Sequence, residues 1–346
     1  MTSSRNGALL GVQTPRVRVA PRVKRSDVDD AEFLASSYGL VPDEWQRLVL
    51  EDWLAVRPDG RWASLTAGLS VPRQNGKNGC IEIRELYGMV VLGERFLHTA
   101  HEVKTARKAF LRIASFFENP RRWPELADLV KEIRRTNGQE AVILRNGGSV
   151  EFVARSKGSG RGFTVDVLVC DEAQELDDDA LEALMPTTSA APLGNPQWIF
   201  VGTPPGPKAA GEVFTRVRAE ALEGGGGPLC WHEWSAVGDV DLDDRSVWAA
   251  TNPGLGIRLQ WDVLEGERAR FSDDGFARER LGMWDDVTSS RVIDAQTWDR
   301  CADSTSQVAS DIAISVDTTP DQSVTSIAIA GLRDDGLPHV EVIEHR

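Results

Sequence analysis

Short apolar runs alternate with amphipathic stretches along the first 235 residues. Apolar runs of strand length occupy residues 62–70, 96–100, 165–170 and 197–201, and hydrophobic residues at helical spacing occupy residues 31–56, 77–92 and 103–117. Strands that alternate with helices in this way predict an α/β fold, a doubly wound and mainly parallel sheet with flanking helices.

A hairpin, a glycine run and a helical segment interrupt or follow the alternating pattern. Residues 141–144 and 149–153 flank a turn sequence at 145–148, which predicts a hairpin, and four glycines at 224–227 indicate a flexible connection. Residues 239–283 have helical spacing, and a second β pattern begins at Asp311. The predicted organisation is therefore a tail over 1–26, a first domain over 27–235, a helical linker over 236–305 and a further β domain over 306–346.

Composition places the chain among globular proteins. It has 346 residues, of which 41% are hydrophobic and 27% charged, enough for two domains. No apolar run approaches the ~20 residues of a membrane span. The four cysteines lie far apart, which excludes a zinc ribbon or a disulfide framework and fits a reducing cytoplasm.

Charge excludes one class of DNA-binding protein and leaves another open. The net charge of −14 excludes a basic coat protein, although a local basic surface can still contact DNA. The first 25 residues carry six basic residues and no acid. They are expected to form a flexible basic tail, with an arm that binds phosphate or an acidic partner as the alternative.

A candidate phosphate-binding loop follows the first apolar run. Val71 to Asn78, VPRQNGKN, lies between a predicted strand and a predicted helix, where backbone N–H groups and the helix N-terminus favour phosphate. Lys77 can reach the β- and γ-phosphates. The first glycine of the usual motif is missing, and Asn78 replaces the hydroxyl residue that binds magnesium, so a plain turn and helix cap is the alternative.

A second candidate site is the acidic end of a buried strand. VDVLVCDEAQE ends its apolar run at Asp171 and Glu172. Two adjacent carboxylates favour a bound cation, so Asp171 is expected to hold Mg²⁺ and Glu172 to act as general base on water. The alternative is an acidic helix N-cap.

A threonine and two arginines complete the candidate site. Thr203 follows the apolar run at 197–201 and is placed to sense the γ-phosphate, although an ordinary Pro/Gly loop is the alternative. Phosphoryl transfer commonly uses an arginine to neutralise transition-state charge. Arg73 and Arg161 are the two candidates, each with a solvated surface arginine as the alternative.

Together these motifs resemble a known family. VPRQNGKN, VDVLVCDEAQE and VGTPPG, in this order and spacing, resemble the ATPase domain of tailed-phage terminase large subunits, most closely the group of HK97-like siphophages. The helical stretches at 251–254 and 276–284 are similar to the segment that leads into that family's nuclease domain. The resemblance implies a P-loop NTPase that binds ATP and Mg²⁺. Gln46 would contact the adenine edge and Tyr38 or Trp45 the ring, while Asp171 and Asn78 would hold the Mg²⁺. The phosphate loop would bind ATP through Arg73, Gln74, Asn75, Gly76, Lys77, Asn78 and Gly79.

The resemblance also implies roles and partners. Thr203 would couple hydrolysis to movement, and Arg161 would act in trans on a neighbouring subunit. The protein would work in the host cytoplasm as a ring of five subunits, transiently on the procapsid portal, with the small terminase subunit and double-stranded DNA as further partners. No membrane is involved.

The last β pattern resembles the start of an RNase H-like nuclease. Asp317 would be the first carboxylate of its two-metal site, with Asp321 a weaker neighbour. The other carboxylates are expected beyond Arg346, so the full-length enzyme is expected to cut concatemeric DNA and this chain is not. Two other hypotheses stay open: a helicase-like DNA translocase, and a nucleotide-gated binding module with vestigial hydrolysis.

Overall fold

The protein divides into two compact units in a computed structural model. The units are Met1–Asp286 and Val287–Arg346. The structure describes residues 10–156, 160, 162–207, 209–224, 227–284, 300–303, 305–318 and 325–346.

Strands of the first unit lie partly on the predicted strand segments. They are β1 Val17–Val19, β2 Arg25–Ser26, β3 Ala55–Val56, β4 Thr66–Ser70, β5 Arg95–Ala100, β6 Val130–Arg134, β7 Ala141–Leu144, β8 Ser149–Ala154, β9 Val167–Asp171, β10 Gln197–Gly202 and β11 Leu229–Glu233. Of these, β4, β5, β7, β8, β9 and β10 lie on the predicted strand segments, whereas β1, β2, β3, β6 and β11 were not predicted.

Helices of the first unit flank these strands. They are α1 Val28–Ser37, α2 Glu44–Trp53, α3 Lys77–Tyr87, α4 Val103–Phe117, α5 Pro124–Leu129, α6 Asp178–Leu184, α7 Glu212–Leu222, α8 Arg245–Thr251, α9 Trp261–Arg268 and α10 Asp273–Leu281.

One sheet of nine strands organises the first unit. Its order is β1-β11-β4-β10-β9-β5-β8-β7-β6, and the six strands from β11 to β8 are parallel. The outer strands β1, β7 and β6 pair antiparallel, with β7 and β8 forming the predicted hairpin. The prediction of a mainly parallel, doubly wound sheet is confirmed, and it places the carboxyl ends of the central strands along one edge.

The N-terminal segment differs from the predicted flexible tail. Residues 17–19 form β1, which pairs with β11 at the sheet edge. Arg18 donates to both carboxylate oxygens of Asp52 at 2.8 and 2.9 Å, and Arg16 pairs with buried Glu233. Asp52 and Glu233, which neutralise these arginines, lie far from them in the sequence. The local run of basic residues therefore predicted a solvated tail and not a strand.

The predicted helix over 31–56 is two helices. Gly39 has a positive φ of 83° after α1, and Pro42 precedes the second helix. Asp43 then caps α2, with the Asp43 N–H donating to Gln46 Oε1 at 2.8 Å. Glycine at a positive φ, proline and a capping residue together end one helix and start the next.

The helical segment over 236–284 packs into the first unit. Its apolar side chains form a cluster of their own around Trp248, Leu264 and Phe276. Hydrogen bonds join it to the loop after β4, since Arg280 Nη1 donates to the Arg73 carbonyl at 2.7 Å. This part of the predicted linker is therefore a connector built onto the sheet unit, and we call residues 236–284 the connector.

The second unit contains an antiparallel three-stranded sheet. Its strands are β12 Ser310–Thr318, β13 Thr325–Leu332 and β14 Pro338–His345, in that order. This matches the β pattern predicted from Asp311 onward. Alternate apolar side chains of the outer strands are more than half exposed, namely Ile312, Ile314, Val316, Val340 and Val342.

Across the described ranges, none of the helices has both the length and the apolar character needed to cross a bilayer.

Candidate functional site

The loop after β4 has the backbone geometry of an anion-binding turn. Gln74 and Gly76 both have positive φ, 63° and 100°, and Gly76 is the N-cap of α3. The N–H groups of Gln74, Asn75 and Gly76 have no acceptor among the described residues. Unpaired N–H groups that precede a helix N-terminus form a site for phosphate oxygens.

The first turn of α3 carries the predicted lysine. Lys77 is half-buried, and within the described parts of the chain its ammonium group has no hydrogen-bond or ion-pair partner. Asn78, next to it, is exposed. A positive charge that no protein group neutralises, beside a row of unpaired N–H groups, favours an anionic ligand.

Gln46 contacts this loop from the opposite side. It is buried on α2, and its Nε2 donates to the Gly76 carbonyl at 2.6 Å. A Cβ at Gly79 would lie 2.6 Å from the same Nε2, so a larger residue there would displace the Gln46 amide. Both polar atoms of the Gln46 amide are thus occupied by the protein, and its predicted adenine contact stays a prediction.

The two candidate acids end β9. Asp171 is buried, and its Oδ1 accepts from the N–H of Glu172 at 2.9 Å. Glu172 has φ 53° and ψ 48°, the left-handed region, which is disfavoured by about 1–2 kcal/mol for a residue with a Cβ. Glu172 makes no side-chain cap hydrogen bond to the short 3₁₀ turn that follows. Helix capping therefore does not account for Glu172.

The Glu172 carboxylate has two donors at the end of the neighbouring strand. The N–H of His101 donates to Oε2 at 3.2 Å, and Thr105 Oγ1 donates to Oε1 at 3.2 Å. Thr105 lies on the first turn of α4, directly after β5. These contacts orient the carboxylate at the carboxyl edge of the sheet.

Strand register brings the three motifs to this same edge. Ser70 of β4 is level with Gly202 of β10, and Val201 is level with Asp171 of β9. The Val71 N–H also donates to the Gly202 carbonyl at 3.2 Å. Ligands of doubly wound sheets bind beyond the carboxyl ends of the strands, which is where these loops lie.

Thr203 is tied to the acidic strand end. It is buried, and its N–H donates to Gln174 Oε1 at 3.3 Å. A Cβ at Gly202 would lie 2.6 Å from that oxygen, so a larger residue there would displace the Gln174 side chain. Gln174, which was not predicted as part of the site, links the ends of β9 and β10.

Of the two candidate arginines, Arg73 lies within the described residues. The Arg73 guanidinium forms a 3.0 Å ion pair with Glu279 of the connector and is more than half exposed. An exposed pair of this kind contributes about 0–1 kcal/mol, so a nucleotide can compete for the arginine. Arg161 lies outside the described residues.

Two polar residues make contacts at the site that were not predicted: Asn75, expected only to bind ATP, and Arg155, to which no role was given. The Asn75 side chain donates to Asn252 Oδ1 at 3.0 Å and accepts from the Gly254 N–H at 2.8 Å, which joins the loop to the connector. Arg155 donates to the carbonyls of Asp171 and Glu172 at 2.6 and 2.7 Å. Neither contact has a local sequence signal, because each partner lies at least 16 residues away.

A buried histidine lies beneath the acidic end. His98 of β5 contacts Glu85 of α3 at 2.6 Å, between Nδ1 and Oε1. Burial alone would lower the pKa of His98, but the charge and the hydrogen bond of Glu85 outweigh it, and the pKa is raised. The pair connects the helix of the phosphate loop to the strand beside β9.

Magnesium bound with ATP fits the oxygen donors present. One oxygen of Asp171 accepts from Glu172, and the other has no hydrogen-bond partner among the described residues. Within those residues no group of three or more His, Cys, Asp or Glu side chains is placed to hold a metal. Mg²⁺ on a nucleotide needs only one or two protein oxygens, because phosphate and water supply the rest.

Asp317 lies in the second unit, on β12 and opposite Ser326 of β13. The expected strand is confirmed. Its role in a nuclease metal site stays a prediction, and Asp321 lies outside the described residues.

Comparison with solved structures identifies the architecture. The structure superposes on the large terminase of bacteriophage HK97 with a TM-score of 0.64 and 19% sequence identity, over 92% of this chain and 67% of that one. The chain has the fold of a phage large terminase. It spans about two thirds of the length of the HK97 protein.

Two further terminase structures are similar at lower scores. The ATPase domain of the Thermus phage P74-26 large terminase has a TM-score of 0.48 and 16% identity, with 76% of this chain and 100% of that chain covered. A large terminase from a thermophilic bacteriophage has a TM-score of 0.48 and 12% identity, with 86% and 68% covered. Neither the protein-family models nor the curated proteins searched gave a match.

Proposed function

We propose that this chain is the ATP-hydrolysing subunit of a phage terminase motor, which moves double-stranded DNA into a procapsid. One observation carries the proposal: the N–H groups beside Lys77, which have no acceptor among the described residues, follow β4, and the carboxylates of Asp171 and Glu172 follow β9, on either side of β10 at one sheet edge. A cationic loop that binds phosphate and a carboxylate that activates water are the two parts that ATP hydrolysis needs.

Binding comes first in the proposed mechanism. The loop N–H groups and Lys77 hold the β- and γ-phosphates, and Arg73 adds positive charge once it leaves Glu279. Asp171 and Asn78 would hold Mg²⁺, which neutralises charge on the phosphate oxygens when bound. Adenine recognition is assigned to Gln46.

Glu172 then acts on water as the general base. Its carboxylate is held by His101 and Thr105, which fix its direction while leaving it at the site edge. Proton transfer by a positioned carboxylate contributes about 10²–10⁴-fold to a rate. Arg161 is proposed to stabilise the transition state from a neighbouring subunit.

Movement is proposed to start at the end of β10. Thr203 and Gln174 join this strand end to the acids, so loss of the γ-phosphate changes the contacts of both. Asn75 hydrogen-bonds the connector, so a shift of the phosphate loop is proposed to move the connector as well. The proposed assembly is a ring of five subunits on the portal, with the small subunit, in the host cytoplasm.

An ATP-turnover experiment tests the proposal. Glu172→Gln is expected to lower kcat at least 100-fold, because it removes the base, and to leave nucleotide binding intact. Lys77→Met is expected to weaken binding of ATP. The matched control is Glu175→Gln, three residues further on and half-exposed, which is expected to change kcat by less than about twofold.

The possible results separate the hypotheses. Turnover by the wild type that does not exceed that of Glu172→Gln would refute an ATPase and leave a nucleotide-gated module. Turnover without DNA packaging, in an assay with procapsids and portal, would favour a helicase-like translocase. Mixing Arg161→Ala with Glu172→Gln subunits is expected to restore activity, and absence of rescue at every ratio would count against a trans-acting arginine.

A further inference from the structure

Arg155 occupies a position that the mechanism above does not use. It directly follows β8, and its N–H donates to the Ala100 carbonyl at 2.8 Å, continuing the ladder with β5. Its side chain then crosses the end of β5 to reach β9. The guanidinium donates to the carbonyls of Thr99 at 3.2 Å, Asp171 at 2.6 Å and Glu172 at 2.7 Å.

The contacts with the Asp171 and Glu172 carbonyls hold the backbone around Glu172, which has an uncommon conformation. Glu172 is in the left-handed region, which a residue with a Cβ adopts only when its surroundings hold it there. The carbonyls on each side of that turn are the two that Arg155 binds with separate nitrogens. The direction of the Glu172 side chain depends on this backbone conformation.

Only an arginine fits this arrangement. A guanidinium is a planar fork with several N–H donors, so it can hold two adjacent carbonyls at once, whereas an ammonium group is a single point. Burial lowers the pKa of Arg155, and the nearby charges of Cys170, Asp171 and Glu172 act against that effect. A half-buried cation kept beside the two acids indicates a use beyond packing.

We propose that Arg155 is the positioning residue of the general base: it holds the carbonyls of Asp171 and Glu172 and thereby fixes the direction of the Glu172 carboxylate. This inference rests on the proposed function. A residue of this kind acts on the rate of the chemical step, because it orients the base and does not touch nucleotide.

Kinetics of two variants test the inference. Arg155→Lys and Arg155→Gln are expected to lower kcat about 10–100-fold, because displacing the general base by about 1 Å slows the chemical step by about that factor. The KM for ATP and the Kd of a fluorescent ADP analogue are expected to stay within about twofold. The matched control is Arg145→Lys on the neighbouring hairpin, where an exposed arginine also donates to a backbone carbonyl.

A double-variant cycle separates positioning from general structural support. In the Glu172→Gln background there is no base to orient, so Arg155→Lys is expected to change the residual rate by less than about threefold. A loss of the same factor in both backgrounds would overturn the inference, and so would an unchanged kcat or a parallel loss of nucleotide affinity.

Folding and turnover controls make every result decisive. If neither Arg155 variant folds, as judged by thermal unfolding, Arg155 is a core residue and the inference is wrong. If the wild type itself shows no ATP turnover, the proposed function fails instead. If Arg155→Lys turns over ATP as fast as an active wild type, the inference about Arg155 is wrong and the proposed function stands.

Discussion

Replacing Asn75 by alanine tests the junction between the phosphate loop and the connector. The Asn75 side chain is fully buried and donates to the carbonyls of Pro72 and Arg73 at 3.0 and 3.3 Å. It also donates to Asn252 Oδ1 at 3.0 Å and accepts from the Gly254 N–H at 2.8 Å. Asn75→Ala removes all four hydrogen bonds at once.

The size of the effect follows from the groups left behind. The Gly254 N–H and Asn252 Oδ1 lose the partner that the structure gives them and stay buried. A buried polar group without a partner costs about 1–3 kcal/mol, so two of them predict a loss of about 2–6 kcal/mol in the free energy of unfolding. In a unit of this size that corresponds to a midpoint lower by about 3–10 °C.

Thermal unfolding of the full chain measures the loss. Gln74→Asn is the matched control, because Gln74 is the exposed neighbour in the same loop and asparagine tolerates its positive φ. Its midpoint is expected to stay within about 2 °C of the wild type. The variant Asn75→Ala is also expected to raise the Kd for nucleotide, since the loop loses its anchor on the connector.

Combining Asn75→Ala with Asn252→Ala tests whether the two residues stabilise the junction together. Asn75 and Asn252 share a hydrogen bond, so the loss in Asn75→Ala with Asn252→Ala is expected to be smaller than the sum of the single losses. A midpoint for Asn75→Ala equal to that of Gln74→Asn would refute the account of the junction. Strict additivity would show that the two residues act independently.

Two further predictions concern the acidic strand end. Thr105→Val removes one donor of the Glu172 carboxylate and is expected to lower kcat about 3–10-fold with KM unchanged, whereas Thr105→Ser keeps the hydroxyl and most of the rate; equal rates for the two would contradict it. His98 has a pKa raised by Glu85, so its contribution to stability is complete below about pH 6.5 and is lost as pH rises through the folded-state pKa. Urea midpoints between pH 6 and 9 are therefore expected to fall more for the wild type than for His98→Gln, and parallel profiles would contradict the assignment.

The site residues that could be predicted from the sequence lie in segments with a recognisable local pattern. The loop ending at Lys77 and the acids at Asp171 lie beside apolar strands, and β-strand periodicity followed by a turn is visible within ten residues. A parallel sheet with helical crossovers then requires these strand ends to share one edge. For this reason the fold and the meeting of the motifs were both predictable.

The remaining contacts depend on partners that periodicity cannot pair. Arg18 is neutralised by Asp52, and Asn75 is hydrogen-bonded to groups of the connector that lie 177 and 179 residues later. Arg155 lies in a run of basic and small residues that is typical of a surface loop, yet it binds the last carbonyl of β9 and the carbonyl that follows it. Each contact is set by tertiary packing, which a single sequence does not encode in any local spacing.

The apolar side chains on the sheet of the second unit govern how the protein behaves in concentrated solution. Ile312, Ile314 and Val316 alternate along β12, which pairs with β13 on one side and, among the described residues, with no strand on the other. Such a surface is prone to strand-to-strand self-association, which would bury protein in aggregates and lower the active fraction in any assay. A lysine at position 314 would place a charge on that surface, and every residue assigned to nucleotide lies in the other unit. Ile314→Lys is thus a route to soluble protein that leaves the ATP chemistry untouched.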